Sequence, residues 1–321
     1  MRILTKQDIF AVDRWLIQDA VFHAYEIMNR GDYNMPDRSH VPDGENMLLL
    51  MPCFGRRYFA TKLVSVFPGA ADNGLPVVNG VMTLADNTSG KPLAVMDGAA
   101  VTAERTGAVG GLGVRYLTGA SLKTAGIFGA GTQGLSQARY LLLNRNIHTL
   151  YIGDLYPEAA RKMAECLSQS FPGVEFKVVT DPRDLVSLSE LVIAATTSAS
   201  PLFPDDPDLV KGKTFISIGS FRPDMKEFPN AVIKTSDRVY VDTPFAAKES
   251  GDICTPLAQG IVKREKIQPF AELIRRQAPE NREENTTLFF KSVGMALFDL
   301  SVASVLYELA EKQQFGTAID F

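Results

Sequence analysis

The chain has 321 residues, of which 45% are hydrophobic and 22% are charged, and its formal net charge at pH 7 is −4. This composition is typical of a soluble globular protein, and the length favours two domains over one. The lack of a basic tract argues against a nucleic-acid partner, and no apolar run approaches the ~20 residues of a membrane helix. We therefore expect no nucleic-acid or membrane partner and no secretory signal.

Cysteine and histidine usage predicts neither disulfides nor a metal site. The cysteines form no C-x-x-C pair, and the histidines lack the spacing of metal ligands. A reducing cytoplasm is the simplest compartment for such a chain. The residues concerned are Cys53, Cys166 and Cys254, and His23, His40 and His148.

The first hundred residues predict one helix followed by a sheet. Residues 5–30 keep an approximately helical rhythm of apolar positions, with Thr5 as the N-terminal cap and Gly31 at the end. From about residue 46 to residue 97, β-rich runs such as YFATKLVSVFP and PVVNGVMTLAD are separated by Gly, Pro and Asn. We predict an antiparallel or mixed sheet here, without intervening helices.

A change of texture after Thr102 predicts a second kind of fold. The segment AERTGAVGGLGVRYL is rich in small residues. We expect a helix whose glycines permit close packing against another backbone, since each interior glycine costs roughly 1 kcal/mol relative to alanine. Strands and helices then alternate, which indicates a parallel, doubly wound α/β sheet. A last helix is predicted from about Thr287 to Leu309, and its return to the first domain would leave the second domain as an insertion.

A glycine cluster, GIFGAGTQG at residues 126–134, lies at the start of this alternating region. In the usual geometry of this motif, Gly129 permits a tight turn and Gly131 permits the approach of a pyrophosphate. Gly134 permits close packing of the helix on the strand. Asp154 ends the next strand, 20 positions beyond Gly134, near the spacing of an acid that binds a ribose. The glycines alone also fit a plain turn. Their surroundings favour a dinucleotide site, and the carboxylate favours NAD over NADP because it repels a 2′-phosphate.

Seven ordered segments resemble the ornithine cyclodeaminase/mu-crystallin family, which includes archaeal alanine dehydrogenases and ketimine or pyrroline-2-carboxylate reductases. The resemblance spans almost the whole chain and implies a homodimer. It also implies a Rossmann-type, doubly wound parallel-sheet domain at 116–294, inserted into an α+β dimerisation and substrate domain at 1–115 plus 295–321. The segments are MPDRSHV, MPCFGRRYFATKLVSVFPG, GKPLAVMDGAAVTAERTGAVGGLGVRYL, GIFGAGTQG, ATTSASPLF, IGSFRPDMKE and FFKSVGMALFDL.

The resemblance further implies which residues bind substrate and cofactor. Arg38, Lys62 and Arg105 match the basic residues that family members place around a substrate carboxylate, which a guanidinium can hold by two parallel hydrogen bonds. On the residues alone, Lys62 could instead snorkel to the surface and the arginines could form structural ion pairs. Lys62 is the leading candidate for proton transfer, with a pKa lowered by the two arginines. The cofactor-binding residues expected are Thr106, Gly129, Ala130, Gly131, Thr132, Gln133, Gly134, Asp154, Thr196, Thr197, Ser198, Phe221, Val293 and Gly294.

Two departures from the family pattern bear on the reaction. Members that cyclise ornithine carry carboxylates at the positions of Leu50 and Phe221, and neither side chain here can accept a proton or anchor an ammonium group. We therefore predict an NAD(P)H-dependent reductase of a small or cyclic α-imino acid, or an amino-acid dehydrogenase running in reverse. The alternatives are ornithine cyclodeamination and a cofactor-binding protein without turnover. Asp224 and Glu227 could form a carboxylate pair, but a solvated loop or a helix cap is the favoured interpretation.

Overall fold

The computed structural model describes residues 1–75, 77–277, 279 and 285–320. Within them the strands are β1 (Arg2–Leu4), β2 (Ser39–Asp43), β3 (Asn46–Phe54), β4 (Tyr58–Val66), β5 (Val78–Asp86), β6 (Pro92–Asp97), β7 (Thr124–Phe128), β8 (Thr149–Gly153), β9 (Glu175–Val178), β10 (Leu191–Ala194), β11 (Thr214–Ser217), β12 (Arg238–Val241), β13 (Ile267–Pro269), β14 (Leu288–Lys291) and β15 (Thr317–Ala318). The α-helices are α1 (Lys6–Phe10), α2 (Arg14–Arg30), α3 (Gly98–Leu117), α4 (Thr132–Asn144), α5 (Pro157–Ser170), α6 (Pro182–Ser187), α7 (Pro207–Val210), α8 (Asn230–Thr235), α9 (Ala246–Glu249), α10 (Gly251–Ala258), α11 (Phe270–Arg275) and α12 (Ala296–Gln313). None of the helices in these ranges has the length and apolar character needed to cross a membrane.

The chain divides into two compact units. The first contains Met1–Arg105 and Met295–Phe321, and the second contains Thr106–Gly294. The sequence-based boundary lies after residue 115, near the end of α3, whereas this division falls inside that helix. The middle of the chain is thus one unit, and the two end segments together form the other.

The N-terminal segment of the first unit forms two helices where one is predicted. Thr5 caps α1 as expected, because its side chain accepts from the N–H of Asp8, whose carboxylate accepts in turn from the N–H of Thr5. The prediction of one unbroken helix is wrong, since Asp13 caps a separate helix, α2, by accepting from the N–H of Trp15. α2 ends at Gly31, whose φ of 70° lies in the left-handed region that favours glycine.

The sheet of the first unit is mixed, and its strands within residues 46–97 pair in the antiparallel form, one of the two arrangements predicted there. Its strand order is β15-β1-β6-β5-β4-β3-β2, with antiparallel neighbours from β2 to β6 and β1 parallel to β6. A short 3-10 helix at Pro68–Asn73 separates β4 from β5, so the region is not wholly free of helix. α12 packs on β3, β4 and β5 and also on α2, and it thereby covers one face of the sheet.

The second unit has the predicted α/β architecture, a Rossmann-type parallel sheet. Among the described residues its strand order is β13-β12-β14-β11-β10-β7-β8-β9, and every neighbouring pair is parallel. The chain winds from β7 in one direction to β8 and β9, and in the other direction to β10 and β11. In such sheets ligands bind outside the carboxyl ends of the strands, where the order reverses.

The long C-terminal helix begins later than predicted. The segment expected to start it forms β14, which lies between β11 and β12, and α12 starts only at Ala296. Phe289 and Phe290 alternate between the two faces of the sheet and are both buried. A strand buried on both faces reads as a continuous apolar run, which periodicity alone does not distinguish from a buried helix. The prediction of helix before Ala296 is therefore wrong.

Two glycines inside α3, Gly107 and Gly113, pack closely, but against side chains. A Cβ on Gly107 would overlap the ring of Tyr140 in α4. A Cβ on Gly113 would lie 2.8 Å from Cδ1 of Phe290 in β14 and 3.2 Å from Cδ1 of Ile216 in β11. The expected close packing is present, whereas the predicted partner at these two positions, another backbone, is wrong.

Candidate functional site

Lys62 lies in β4 on the face of the sheet that α12 covers, and its side chain is 2% exposed. Nζ donates to both carboxylate oxygens of Asp299, at 2.9 and 3.0 Å, and to Oγ1 of Thr102 at 3.2 Å. Lys62 therefore does not snorkel to the surface. It is held inside the first unit by an ion pair, as a buried ammonium requires.

Arg105 reaches the same carboxylate from α3. Its Nε donates to Oδ1 of Asp299 at 3.1 Å, and its side chain is largely buried. We call Lys62, Arg105 and Asp299 the cationic cluster, because with both cations protonated it carries a net charge of +1. Burial disfavours an excess charge unless a counter-ion is supplied, so this cluster is suited to bind an anion such as a carboxylate.

The pKa of Lys62 is lowered from its ordinary value of 10.5 to about 8. Burial is the largest cause, since it disfavours the charged ammonium. Asp299 raises the pKa, while the guanidinium groups of Arg105 and of the half-buried Arg38 lower it. The pKa of Lys62 is thus lowered, as predicted. The predicted main cause, crowding by the two arginines, is wrong, because burial lowers this pKa more than they do.

Asp299 is the member of the cationic cluster that sequence reasoning missed. It lies in the first turn of α12 between Phe298 and Leu300, and all three residues are buried. A lone carboxylate inside an apolar run is itself a signal, because an ionised side chain is rarely buried without a partner. Spacing could not identify the partner, since 237 residues separate Asp299 from Lys62.

The glycine cluster forms the turn between β7 and α4 in the second unit. Gly129 has a φ of 95°, and a Cβ there would lie 2.6 Å from the carbonyl oxygen of Ala195. A Cβ on Gly134 would overlap the carbonyl of Gly129, so this glycine lets the helix start directly against the strand end. Gly131 caps α4 without a side-chain hydrogen bond, and a Cβ there would meet nothing within 4 Å. The turn is therefore open at the helix N-terminus, where an anion is favoured.

Asp154 follows β8 and ties it to the glycine turn. One carboxylate oxygen accepts from the N–H of Ala130 at 2.7 Å, and the other accepts from the N–H of Tyr156 at 2.8 Å. Each oxygen retains a further lone pair, so the carboxylate can still accept from a ribose hydroxyl. Arg161, one helical turn further on, lies 3.6 Å from Glu158 in an exposed pair. The turn and the carboxylate together fit a dinucleotide without a 2′-phosphate.

Most of the other predicted cofactor residues follow neighbouring strands of this sheet. Ala130, Thr132 and Gln133 belong to the turn after β7, Thr196, Thr197 and Ser198 follow β10, Phe221 follows β11, and Val293 and Gly294 follow β14. Because these strands are parallel, their carboxyl ends lie along one edge, which we call the carboxyl edge. Thr106 is instead a buried residue of α3, and its carbonyl oxygen accepts from Nε2 of Gln137 at 2.8 Å.

Two acidic residues after β11 differ in their surroundings. Asp224 is exposed and pairs with Arg222 at 3.1 Å, as expected of a solvated loop. The same interpretation is wrong for Glu227, which is fully buried and accepts hydrogen bonds from backbone N–H groups. Burial raises the pKa of Glu227, because desolvation disfavours the charged carboxylate.

Comparisons with known proteins reach almost the full length of the chain. A model of the ornithine cyclodeaminase/mu-crystallin family matches residues 9–314. The chain is 33% identical over 294 residues to Delta(1)-pyrroline-2-carboxylate reductase of Bacillus cereus, with 89% of each protein covered. The structure of Thermococcus litoralis Delta(1)-pyrroline-2-carboxylate reductase with NADH and L-proline has a TM-score of 0.92 at 31% identity, covering 99% of this chain and 100% of that one. An archaeal alanine dehydrogenase dimer with bound NAD has a TM-score of 0.91 at 27% identity, covering 100% and 99%.

Proposed function

The chain belongs to the ornithine cyclodeaminase/mu-crystallin family, and from this premise we propose that it reduces a small or cyclic α-imino acid with NADH. The observation that carries the proposal is the cationic cluster, in which a buried lysine and arginine share one carboxylate. Relatives named as reductases of a cyclic imino acid support it. Reduction adds a hydride to the imine carbon and a proton to the imine nitrogen, so the protein must provide for both.

The substrate carboxylate is held by the excess positive charge of the cationic cluster. Binding of one carboxylate brings the net charge of the cluster from +1 to zero, which offsets the cost of the buried excess charge. Arg105 uses Nε for Asp299, so the substrate would use its terminal nitrogens, which suit a planar carboxylate. Arg38 adds positive charge that is felt at Lys62.

Lys62 supplies the proton in this mechanism. With a pKa of about 8, the ammonium is still protonated at neutral pH but is a stronger acid than an exposed lysine. Asp299 holds Nζ with both oxygens, which leaves the ammonium little freedom to move. Transfer of the proton to the imine nitrogen leaves a neutral amine, the form that burial favours.

The second unit holds the cofactor in this proposal. NADH, when bound, supplies the hydride for the imine carbon. Gly129, Gly131 and Gly134 shape the turn whose backbone N–H groups, at the start of α4, would bind the pyrophosphate. Asp154 would accept from a ribose hydroxyl and repel a 2′-phosphate, which favours NADH over NADPH. Bound NADH and NAD in the two similar structures support this assignment.

Two side chains argue against cyclodeamination of a diamino acid. Leu50 lies in β3 opposite Leu63 of β4, and Phe221 is 43% exposed. Members of the family that cyclise ornithine carry carboxylates at these two positions, and neither side chain here can take that role. Leu50 points to the sheet face opposite to Lys62, so it is the missing carboxylates, and not contacts of these two side chains with the substrate, that count against cyclodeamination.

The proposal includes a cytoplasmic homodimer. Cys53, Cys166 and Cys254 are free thiols, as suits a reducing compartment. The similar alanine dehydrogenase is a dimer. Leu50, Leu63 and Val81 are register partners on β3, β4 and β5, and they point away from the face that carries Lys62. We call these three residues the apolar sheet face, and we propose that a second copy of the chain covers it.

The reaction is tested with one panel of substrates followed at the NADH absorbance. We expect NADH oxidation with pyrroline-2-carboxylate, with piperideine-2-carboxylate, or with pyruvate plus ammonia, and negligible ammonia release from ornithine with catalytic NAD. Lys62→Met is the control, since it lacks the proton donor and should lose about 10²–10⁴-fold in rate. Efficient conversion of ornithine to proline would contradict the proposal. Tight NADH binding without turnover on the whole panel would favour a binding protein instead.

A further inference from the structure

Glu227 joins the ends of two neighbouring strands at the carboxyl edge. Its Oε1 accepts from the N–H and the hydroxyl of Thr196, at 2.6 and 2.9 Å, just after β10. Its Oε2 accepts from the N–H groups of Gly219 and Ser220, at 2.8 and 3.1 Å, just after β11. One side chain thus satisfies three backbone donors from two loops. The two loops are held at a fixed distance by a single carboxylate.

Other buried polar groups fix Glu227 from behind. Asp252 accepts from the backbone N–H groups of Glu227 and Phe228, both at 2.9 Å. The hydroxyl of Ser217 lies 2.7 Å from Oδ2 of Asp252 and 3.2 Å from Oε2 of Glu227, and it accepts from Nζ of Lys291 at 2.8 Å. The lysine also offsets part of the negative charge of the two carboxylates. Glu227 is therefore held through its backbone as well as through its side chain.

A second buried carboxylate holds the loop after β14. Oδ2 of Asp242 accepts from the hydroxyl of Ser292 at 2.7 Å, the N–H of Val293 at 3.0 Å and the N–H of Gly294 at 2.8 Å. Its other oxygen, Oδ1, is buried and has no hydrogen-bond partner among the described residues. Asp242 follows β12, the strand beside β14, so this contact also lies at the carboxyl edge.

Stability alone does not account for these two carboxylates. Taking a carboxylate out of water costs several kcal/mol, and a well-packed apolar residue at such a position is often neutral or stabilising. Burial accordingly raises the pKa of both Glu227 and Asp242. An apolar side chain, however, cannot accept several N–H groups at a strand end. The loops that these groups hold contain Thr196, Val293 and Gly294, which are predicted cofactor-binding residues.

We propose that Glu227 and Asp242 are positioning residues for the dinucleotide, which hold the loops after β10, β11 and β14 in the conformation that binds it. The inference rests on the proposed function, because it requires that these loops contact the cofactor. Both side chains are fully buried behind the backbone that they hold. Their effect on binding is therefore exerted through the loops.

The two carboxylates differ in a way that a matched pair of variants can test. Both oxygens of Glu227 accept from backbone N–H groups, so Glu227→Gln places an NH2 group against a donor at one loop or the other. In Asp242 only Oδ2 accepts hydrogen bonds from the described residues. Asp242→Asn can therefore place its carbonyl oxygen at the position of Oδ2 and its NH2 group at the position of Oδ1. Both variants remove one negative charge that acts on Lys291. They are therefore matched in charge and differ in the hydrogen bonds that are lost.

The experiment measures NADH binding to the full chain by fluorescence titration. We expect the Kd for NADH to rise at least tenfold in Glu227→Gln and in Asp242→Ala, and less than threefold in Asp242→Asn. Steady-state kinetics should show a raised KM for NADH, with kcat at saturating NADH and KM for the imino acid within about twofold of wild type. Amide exchange in the protein without cofactor should be faster at Thr196, Gly219 and Ser220 in Glu227→Gln.

The outcomes separate this inference from the proposed function. A wild-type protein that does not bind NADH would contradict the proposed function itself. Wild-type binding together with an unchanged Kd in Glu227→Gln would overturn the inference alone. Equal losses in Glu227→Gln and Asp242→Asn would assign the effect to charge and would also overturn it. If Glu227→Gln does not fold, Asp242→Ala compared with Asp242→Asn makes the same test.

Discussion

Asp299 has two effects on Lys62, one on position and one on acidity. Its two oxygens hold Nζ at 2.9 and 3.0 Å, and its negative charge raises the pKa of the ammonium against the effect of burial. If Lys62 is the proton donor, activity must fall as the pH rises through its pKa of about 8, because only the protonated form can donate. Removal of the Asp299 charge should then make Lys62 lose its proton at lower pH.

We expect Asp299→Asn to move the alkaline limb of the pH profile of kcat/KM for the imino acid down by about 1 to 3 pH units. A nearby opposite charge changes a pKa by about that amount. The same variant should lower the free energy of unfolding by about 3–5 kcal/mol, because two buried cations lose their carboxylate. The pH profile at saturating NADH and denaturant unfolding provide the two measurements.

Glu308→Gln is the matched control for Asp299→Asn. Glu308 lies on the same helix but is about half exposed, and it accepts from Arg57 and Tyr58. Its loss should leave the alkaline limb in place. Titration of the substrate itself is common to all variants, so it cannot produce a difference between them. An unchanged or higher limb in Asp299→Asn would contradict the role given to Lys62.

At this scale the sequence reveals which residues are unusual but not which ones meet. Lys62 stands out in an apolar strand, and the family motif AERTGAV indicates Arg105. Asp299 is equally unusual in its apolar helix, yet its pairing with Lys62 depends on how α12 packs on β4. For Glu227 the sequence favours a solvated loop or a helix cap, because the polar residues around it, RPDMKE, give no indication of its burial.

Among the helices, α3 shows how packing can oppose intrinsic propensity. Gly113→Ala adds a better helix former, which alone would stabilise the helix by roughly 1 kcal/mol. The new Cβ would lie 2.8 Å from the ring of Phe290, which is fully buried and stacked on Phe270. Overpacking of this kind costs about 1–3 kcal/mol, so we expect a net loss of stability, measured by denaturant unfolding.

A double-mutant cycle with Phe290→Leu isolates this contact. The smaller side chain removes ring atoms that face Gly113, so the alanine should be neutral or stabilising in that background. Additive effects of the two substitutions would show that the glycine is retained for another reason. If Gly113→Ala alone stabilises the protein, Phe290 and its neighbours in the sheet can move to accept the new Cβ without loss of stability.

A continuous apolar run makes the end of the sheet difficult to predict. The run TLFFKSVGMALFDL is apolar for most of its length and contains both β14 and the start of α12. Helical periodicity predicts a single element here, whereas only residues 292–295 separate strand from helix in the structure. By contrast, the alternating strands and helices from β7 to β12 and the cap at Thr5 follow from local patterns that tertiary packing does not override.

For the whole molecule, the apolar sheet face determines the expected assembly. Leu63 and Val81 are 41% and 43% exposed, and their neighbour Leu50 lies beside them in register. Leu63→Asp would bury a charge between two copies of the chain. We therefore expect this variant to be a monomer at micromolar concentration, where the wild-type protein is expected to be a dimer. Light scattering provides the measurement, with a wild-type mass twice that of the chain.

Leu188→Asp tests whether any exposed leucine would have the same effect. Leu188 is 48% exposed and lies in the second unit, at the end of α6. This control variant should remain dimeric. A wild-type monomer that turns over the imino acid would refute the dimer, and a dimeric Leu63→Asp would move the interface to another surface.

The place of β14 in the sheet also determines how late in synthesis the protein can fold. β11 and β12 leave the ribosome well before the strand that must pair with both of them, and until then each has an unpaired edge that can associate with other chains. The first unit is completed later still, by α12 and β15. A chain that stops before residue 288 therefore lacks a central strand in one unit and the helix that carries Asp299 in the other. We expect such truncated chains to aggregate or be degraded, with no partial activity.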